Sequence, residues 1–326
     1  MEFLYTITGE YVRIDQVENP ERVVRFPERI KDLPVTELGP YVLADSEVEE
    51  IVLPVNLKKI GAYGFYNCEK LRSLSCGSRT TDLGAGLFAG AGGVEYLDLI
   101  IFEKEKSCLK ELLSELRQTL RVRMRIYDQE NQKKEREVRL IFPEFYEESV
   151  ENTPARILYI ETHGCGHRYR YCFAGTEFQY RKYDELFPHV KVQESEELVT
   201  ELALGRLAYP LGLMEDYENM YREYVTEHWK MAGQLMIQAD QKGGQSYTNL
   251  EAGGLPWLVK TIFQWGERMK GPDFDGQRKG PQQEKTQEQL QELTRMAQQM
   301  GDTEMVSWLM DFQKQNLKKS RRRFEL

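Results

Sequence analysis

His163-Gly164-Cys165-Gly166-His167 is the densest set of reactive side chains in the chain. His and Cys at alternate positions can converge on zinc, whose structural sites take four nitrogen or sulfur ligands. This run supplies three. Cys172 lies five residues beyond His167, about 16 Å along an extended strand, and Glu161 is the nearer carboxylate. The same residues could serve as a Cys–His nucleophile, but the pattern shows no turn opening a helix to act as an oxyanion hole. The plainer reading is a polar hairpin tip with a free thiol. It implies no metal, no cofactor and no enzyme.

A second constellation interleaves basic and aromatic residues, His167-Arg168-Tyr169-Arg170-Tyr171 and Tyr180-Arg181-Lys182-Tyr183. Such surfaces stack bases and track phosphates. The net charge of −9 argues against nucleic acid, and a sheet face with snorkelling arginines accounts for the pattern. Only Lys318, Lys319 and Arg321–Arg323 form a basic run. Phosphate-cradling, HExxH, Walker and Rossmann fingerprints are absent.

With 326 residues the chain exceeds one typical domain. Mean hydropathy is −0.60, and no apolar run approaches the ~18 residues needed to span a bilayer. Met1–Tyr5 lacks the basic and apolar regions of a signal peptide. The expectation is a cytoplasmic protein, or a secreted or surface one if a leader has been removed. Five cysteines, Cys68, Cys76, Cys108, Cys165 and Cys172, read as thiols rather than a disulfide framework.

The elements that position these residues begin with a repeat. Val48-x-x-Ile51-x-Leu53, Leu71-x-x-Leu74-x-Cys76 and Val94-x-x-Leu97-x-Leu99 recur every 23 residues. Leu38-Gly39, Ile60-Gly61 and Leu83-Gly84 precede them, each followed by a bulky apolar residue. A fixed period of this length with this strand signature predicts a leucine-rich solenoid. The apolar positions point inward; Glu50, Val52, Ser73, Ser75, Tyr96 and Asp98 then line the concave face by the two-residue period of a strand. The glycines fit tight turns with positive φ.

The unit VNLKKIGAYGFYNCEKLRSLSC (Val55–Cys76) resembles that of the BspA-type leucine-rich repeat proteins of bacteria. There Ile-Gly, an aromatic, an Asn/Gly-Cys pair and Leu-x-x-Leu recur in order. The N-terminal YTITGEYVRI…VRFPERIKDLPVTELG is similar to the family's entry segment. The first repeat is one residue short, and the third has Gly90-Ala91 in place of Asn-Cys. The resemblance covers roughly residues 1–100 and implies binding to proteins or surfaces, with many members secreted.

Solenoid ends need caps. Tyr5–Ile14 and Arg22–Phe26, around Glu18-Asn19-Pro20, predict a capping hairpin. Leu109, Leu112, Leu113, Leu116 and Leu120 fall on one helix face and predict a C-terminal capping helix. From Arg121 the period becomes two. Strands over 121–126 and 138–142, then 156–162 and 168–173, predict two antiparallel hairpins in one small sheet. Arg121, Arg123, Arg125, Arg136 and Arg139 read as a solvated face balanced by Glu135 and Glu137.

Beyond Pro188 the pattern is helical. Ser195 caps a helix that Pro210 ends. Tyr217, Met220, Tyr221, Tyr224, His228, Met231 and Leu235 form a core stripe, and a helix starts near Pro256. Residues 270–284 read as a linker, and LTRMAQQMGDTEMVSWLMDF resembles an ankyrin-like helical hairpin. The expected architecture is α+β: a capped solenoid over 1–120, a β subdomain over 121–190 and a helical region over 191–326. The expected role is binding a protein partner without membrane insertion. The alternatives are a metal or Cys/His site at His163, Cys165 and His167, or nucleic-acid binding.

Overall fold

The computed structural model describes residues 1–103, 105–128, 134–152, 157–241, 257–259 and 281–316. Residues 129–133 between the strands expected over 121–126 and 138–142, linker residues 270–280, the helix expected near Pro256 apart from 257–259, and the basic tail lie outside them. The architecture is mixed α and β, a β-solenoid of about 5 turns with helices in the C-terminal part. The chain divides into two compact units: Met1–Glu194 with Tyr209–Met214, and Ser195–Ala208 with Glu215–Leu326. No described helix is long and apolar enough to cross a membrane.

Successive coils of the first unit build two sheets. The first runs β1 (Glu2–Thr8), β2 (Tyr11–Glu18), β5 (Leu33–Leu38), β7 (Lys59–Ile60) and β9 (Asp82–Leu83), with β4 (Arg29–Ile30) beside β5. The second runs β3 (Val23–Arg25), β6 (Glu50–Val52), β8 (Ser73–Gly77), β10 (Tyr96–Phe102), β11 (Leu120–Tyr127) and β12 (Lys134–Phe142). From β3 to β11 this sheet is parallel and in strict register, with Ile51, Leu74, Leu97 and Val122 aligned. The repeat's inward residues, Val48, Ile51, Leu53, Leu71, Leu74, Val94, Leu97 and Leu99, are all buried. Their burial stabilises each coil against its neighbours, at about 1.5–3 kcal/mol per large aliphatic side chain.

The glycines of the Leu-Gly and Ile-Gly pairs do not supply the expected positive φ. They permit close approach of coils. A Cβ on Gly61 would lie 2.3 Å from the Pro40 nitrogen, and one on Gly84 2.3 Å from the Ala62 nitrogen. The left-handed positions come two and six residues later, at Tyr41, Tyr63 and Gly86, then Asp45, Asn67 and Gly90. Neighbouring coils support the unusual conformations. The Tyr41 and Tyr63 rings stack with centroids 5.3 Å apart, and Asn67 donates to Asp45 at 2.8 Å.

Both solenoid ends differ from expectation. The N-terminal hairpin turns at Gly9-Glu10, where Gly9 adopts φ 61°, rather than at Glu18–Pro20. Val23–Arg25 instead joins the second sheet beside β6. The leucine stripe yields only a short helix, α1 (Leu109–Glu115). Leu116 is already extended at its end and Leu120 opens β11. Since β11 pairs in parallel with β10, α1 is the crossover of one more coil and not the end cap. The antiparallel strand β12 then lies at the end of the sheet. The first predicted hairpin is therefore part of the solenoid sheet, because the apolar residues of β11 continue the column of inward leucines.

The rest of the first unit comprises the two-stranded β13 (Tyr146–Asn152) and β14 (Ile157–His163), then α2 (Gly166–Arg170). The pair β15 (Phe173–Ala174) and β16 (Glu177–Phe178) and the helices α3 (Tyr180–Asp184) and α4 (Phe187–Gln193) follow. In the second unit α5 (Glu196–Ala208) begins after Ser195, whose Oγ accepts the Leu198 N–H at 3.3 Å. The Tyr/Met stripe is split between α6 (Glu215–Glu227) and α7 (Trp229–Gln241), with His228 at the break. The described residues end in a helical hairpin, α8 (Pro281–Gln299) and α9 (Thr303–Asn316), turning at Gly301 (φ 77°). Residues 281–284 of the expected linker are helical.

Candidate functional site

Strand alternation puts one row of side chains of the second sheet outward. Glu50, Ser73, Tyr96 and Arg121 form one column, and Arg25, Val52, Ser75, Asp98 and Arg123 the next. The six residues expected to line the concave face thus lie together, all half-buried. Two acids among them are already engaged. Glu50 accepts from Arg25 at 3.0 Å, and both oxygens of Asp98 accept from Arg125 at 2.9 and 2.8 Å. The Arg121 guanidinium lies 5.8 Å from the Tyr96 ring centre.

Towards β12 this face closes. Glu137 receives two bonds from Arg123 at 3.0 Å and one from Arg139 at 2.9 Å, and Glu137 and Arg139 are both buried. Tyr209 stacks under the Arg139 guanidinium at 4.6 Å. Arg123 and Arg125 of β11 are thus drawn into bidentate carboxylate pairs, which fix their geometry.

Along the strands the outward row continues past the residues chosen from the repeat. Ile100 and Phe102 follow Tyr96 and Asp98 in the same phase of β10, and Tyr127 lies opposite Phe102 on β11. At this level a groove of about 590 Å³ crosses the carboxyl ends of the strands, lined by Glu28, Val55, Asn56, Arg79, Ile100, Phe102 and Tyr127. The Phe102 and Tyr127 rings lie 6.4 Å apart, and the Arg79 guanidinium sits 5.2 Å over Phe102. Arg79 is held by Glu105 at 3.0 Å and by Asn56. Ser78 donates to the other Glu105 oxygen at 2.6 Å. Glu28 accepts the Val55 N–H through one carboxylate oxygen at 2.9 Å. Among the described residues nothing engages its second oxygen. Apolar walls with a few placed charges are the usual make-up of a binding groove. The L-x-x-L-x-L motif ends at Leu99, so a reading bounded by the motif misses these residues; continued alternation through Phe102 was the available signal.

The His163–His167 run is not a hairpin tip. His163 ends β14, and Gly166 opens the short helix α2 where a strand over 168–173 was expected. His163 stacks on Tyr146 at 4.7 Å, between Glu148 and Glu161 at 3.6 and 3.7 Å. His167 packs against Phe145 and Tyr171. Cys165 points into the protein and donates to Glu194 at 3.2 Å. Among the described residues, no group of three or more His, Cys, Asp or Glu side chains converges as a metal would require.

Burial, reinforced by the Glu194 carboxylate, pushes the Cys165 thiol up to about 12; burial does the same for Cys172. A nucleophilic cysteine needs the opposite environment. Stability should follow these values. A thiol raised in the fold contributes fully below its ordinary value near 9 and loses that contribution as pH climbs through the folded value near 12. The stability advantage of wild type over Cys165→Ser, read from urea midpoints, should therefore be constant below pH 8.5 and shrink between pH 9 and 12. A constant advantage up to pH 12 would show that the thiol is not held protonated.

The basic–aromatic runs are likewise divided by the fold. Arg168 and Tyr171 are exposed, Tyr169 and Arg170 buried, and Arg181 pairs with Glu185 at 3.0 Å. The buried Tyr183 hydroxyl donates to the Ile141 carbonyl at 2.7 Å and accepts its N–H at 2.9 Å. Arg170 spreads its guanidinium over four carbonyls: Leu116 at 3.1 Å, Pro143 at 2.5 Å, Gly166 at 3.0 Å and Gln118 at 2.7 Å. Burial lowers its value to about 10, and it remains charged at neutral pH. These side chains brace the unit.

The model of the BspA-type leucine-rich repeat region matches residues 36–112 in six copies. Among solved structures, a leucine-rich cell surface protein of Faecalibacterium prausnitzii is 15% identical with a TM-score of 0.26, over 31% of this chain and 31% of that one. A leucine-rich repeat protein of Bacteroides ovatus is 17% identical with a TM-score of 0.19, over 31% of this chain and 48% of the other. The match thus spans less than half the length of either protein. No curated protein matches the sequence. With its register, inward leucines and matched family model in agreement, the stretch 36–112 is a BspA-type leucine-rich repeat region.

Proposed function

We propose that this chain is a non-enzymatic binding module that recognises a protein partner on the outward face of its second sheet. The observation that carries this reading is the outward row Glu50, Val52, Ser73 and Ser75, half-buried side chains of neighbouring strands continuous with the groove at the strand ends. The rigid parallel sheet presents these side chains in fixed register, so little ordering remains to oppose association. Cys165 and Cys172 are buried and held protonated, which favours binding over thiol chemistry.

Ser73→Arg places a long charged side chain in the middle of that face, and a surface substitution of this kind shifts stability by less than about 0.5 kcal/mol. Affinity capture from the native cell should lose the partner with Ser73→Arg at an unchanged melting temperature. Full retention of the captured partner would move the binding surface off the Glu50–Ser75 row.

A further inference from the structure

The groove crosses five strands, from the chain that follows β3 to the end of β11. Four inter-strand steps of about 4.8 Å each make it about 19 Å long. The two ends differ in chemistry. At one end Glu28 offers a carboxylate oxygen that the described residues leave unengaged, while its other oxygen is anchored to the Val55 N–H. At the other, Phe102 and Tyr127 form an aromatic wall beside Ile100. Between them Arg79 is tied to Glu105 and Asn56 and laid over Phe102, so its charge is largely met within the protein. With Arg79 offset by Glu105, the remaining groove charge is that of Glu28.

We infer that this groove binds an extended peptide segment of the protein partner, with a lysine or arginine at Glu28 and a large apolar side chain against Phe102 and Tyr127. The inference rests on the protein-binding reading above and assigns it a ligand class. The length selects an extended chain, which covers about 19 Å in roughly six residues. In such a chain alternate side chains face the same way. The two anchors therefore lie an even number of residues apart, four or six, spanning about 13 or 20 Å. Recognition is through side chains, because the strand-end amides of Phe26, Leu53 and Ser78 are already bonded to neighbouring coils.

A random dodecapeptide display library panned on the full chain tests this directly. Enriched peptides should pair a basic with an aromatic or large aliphatic residue at a spacing of four or six, and a synthetic peptide of that consensus should bind. Glu28→Gln keeps an acceptor for the Val55 amide while removing the charge, so folding should be intact. Binding of the consensus peptide should fall at least about tenfold, the worth of one hydrogen bond to a charged group. No enrichment, enrichment without that spacing, or equal binding by Glu28→Gln at unchanged melting temperature would each overturn the inference. Capture lost in Ser73→Arg but unaffected in Glu28→Gln would reject the groove and keep the binding face. Peptide binding lost in Glu28→Gln with capture retained in Ser73→Arg would do the reverse.

Discussion

Arg170→Met should destabilise the protein by about 3–5 kcal/mol, the largest effect expected of any single side chain in the first unit. The substitution preserves much of the volume but leaves the carbonyls of Leu116, Gln118, Pro143 and Gly166 without their shared donor. Each orphaned buried carbonyl costs about 1–3 kcal/mol, reduced where water can enter. Arg170→Lys should recover only a minor part, since a single ammonium cannot match a planar fan of five N–H groups. Urea denaturation monitored by tryptophan-independent circular dichroism would measure both. A loss below 1 kcal/mol in Arg170→Met would mean that the four carbonyls find other partners.

The second large effect concerns the coil-to-coil contact. Gly61→Ala places a methyl group 2.3 Å from the Pro40 nitrogen and 2.5 Å from the Gly39 carbonyl carbon. Both are backbone atoms, so relief requires two coils to separate rather than a side chain to rotate. The cost should be about 3 kcal/mol or more, at the upper end of overpacking effects. Gly92→Ala is the control: nothing lies within 4 Å of its added Cβ, and its effect should stay within about 0.5 kcal/mol. Similar melting temperatures for the two variants would contradict the tight approach at Gly61.

Much of the solenoid was legible because its signal is repeated. Ile51, Leu74 and Leu97 each carry weak local information, yet a fixed period places them in one column, and the burial follows. The glycines were legible as special but not in kind. A sequence shows that a Cβ is excluded, not whether φ or a neighbouring backbone excludes it, and Tyr41 and Tyr63 at positive φ defy residue preference altogether. The C-terminal boundary was obscured by coincidence: Leu116 and Leu120 match a helical face in spacing, although they leave the helix and enter β11. Pairing partners are a long-range property that alternation cannot encode, which is why β11 was separated from β10. The expected concave residues do share a face. The groove residues Glu28, Val55, Asn56 and Arg79 come from connections outside any motif, and only the fold gathers them.

The strict alignment of Ile51, Leu74, Leu97 and Val122 gives the molecule a ruler. Each coil contacts chiefly the coils on either side, as in other repeat arrays, so growth proceeds in whole increments. Duplication of one 23-residue unit between β6 and β8 would insert a strand without disturbing either terminus. The groove would lengthen by one strand spacing, about 4.8 Å, while Glu28 and the Phe102–Tyr127 wall kept their local settings. Ligand length could thus be retuned in discrete steps by gene duplication, a route to new specificity that requires no change at the anchoring residues.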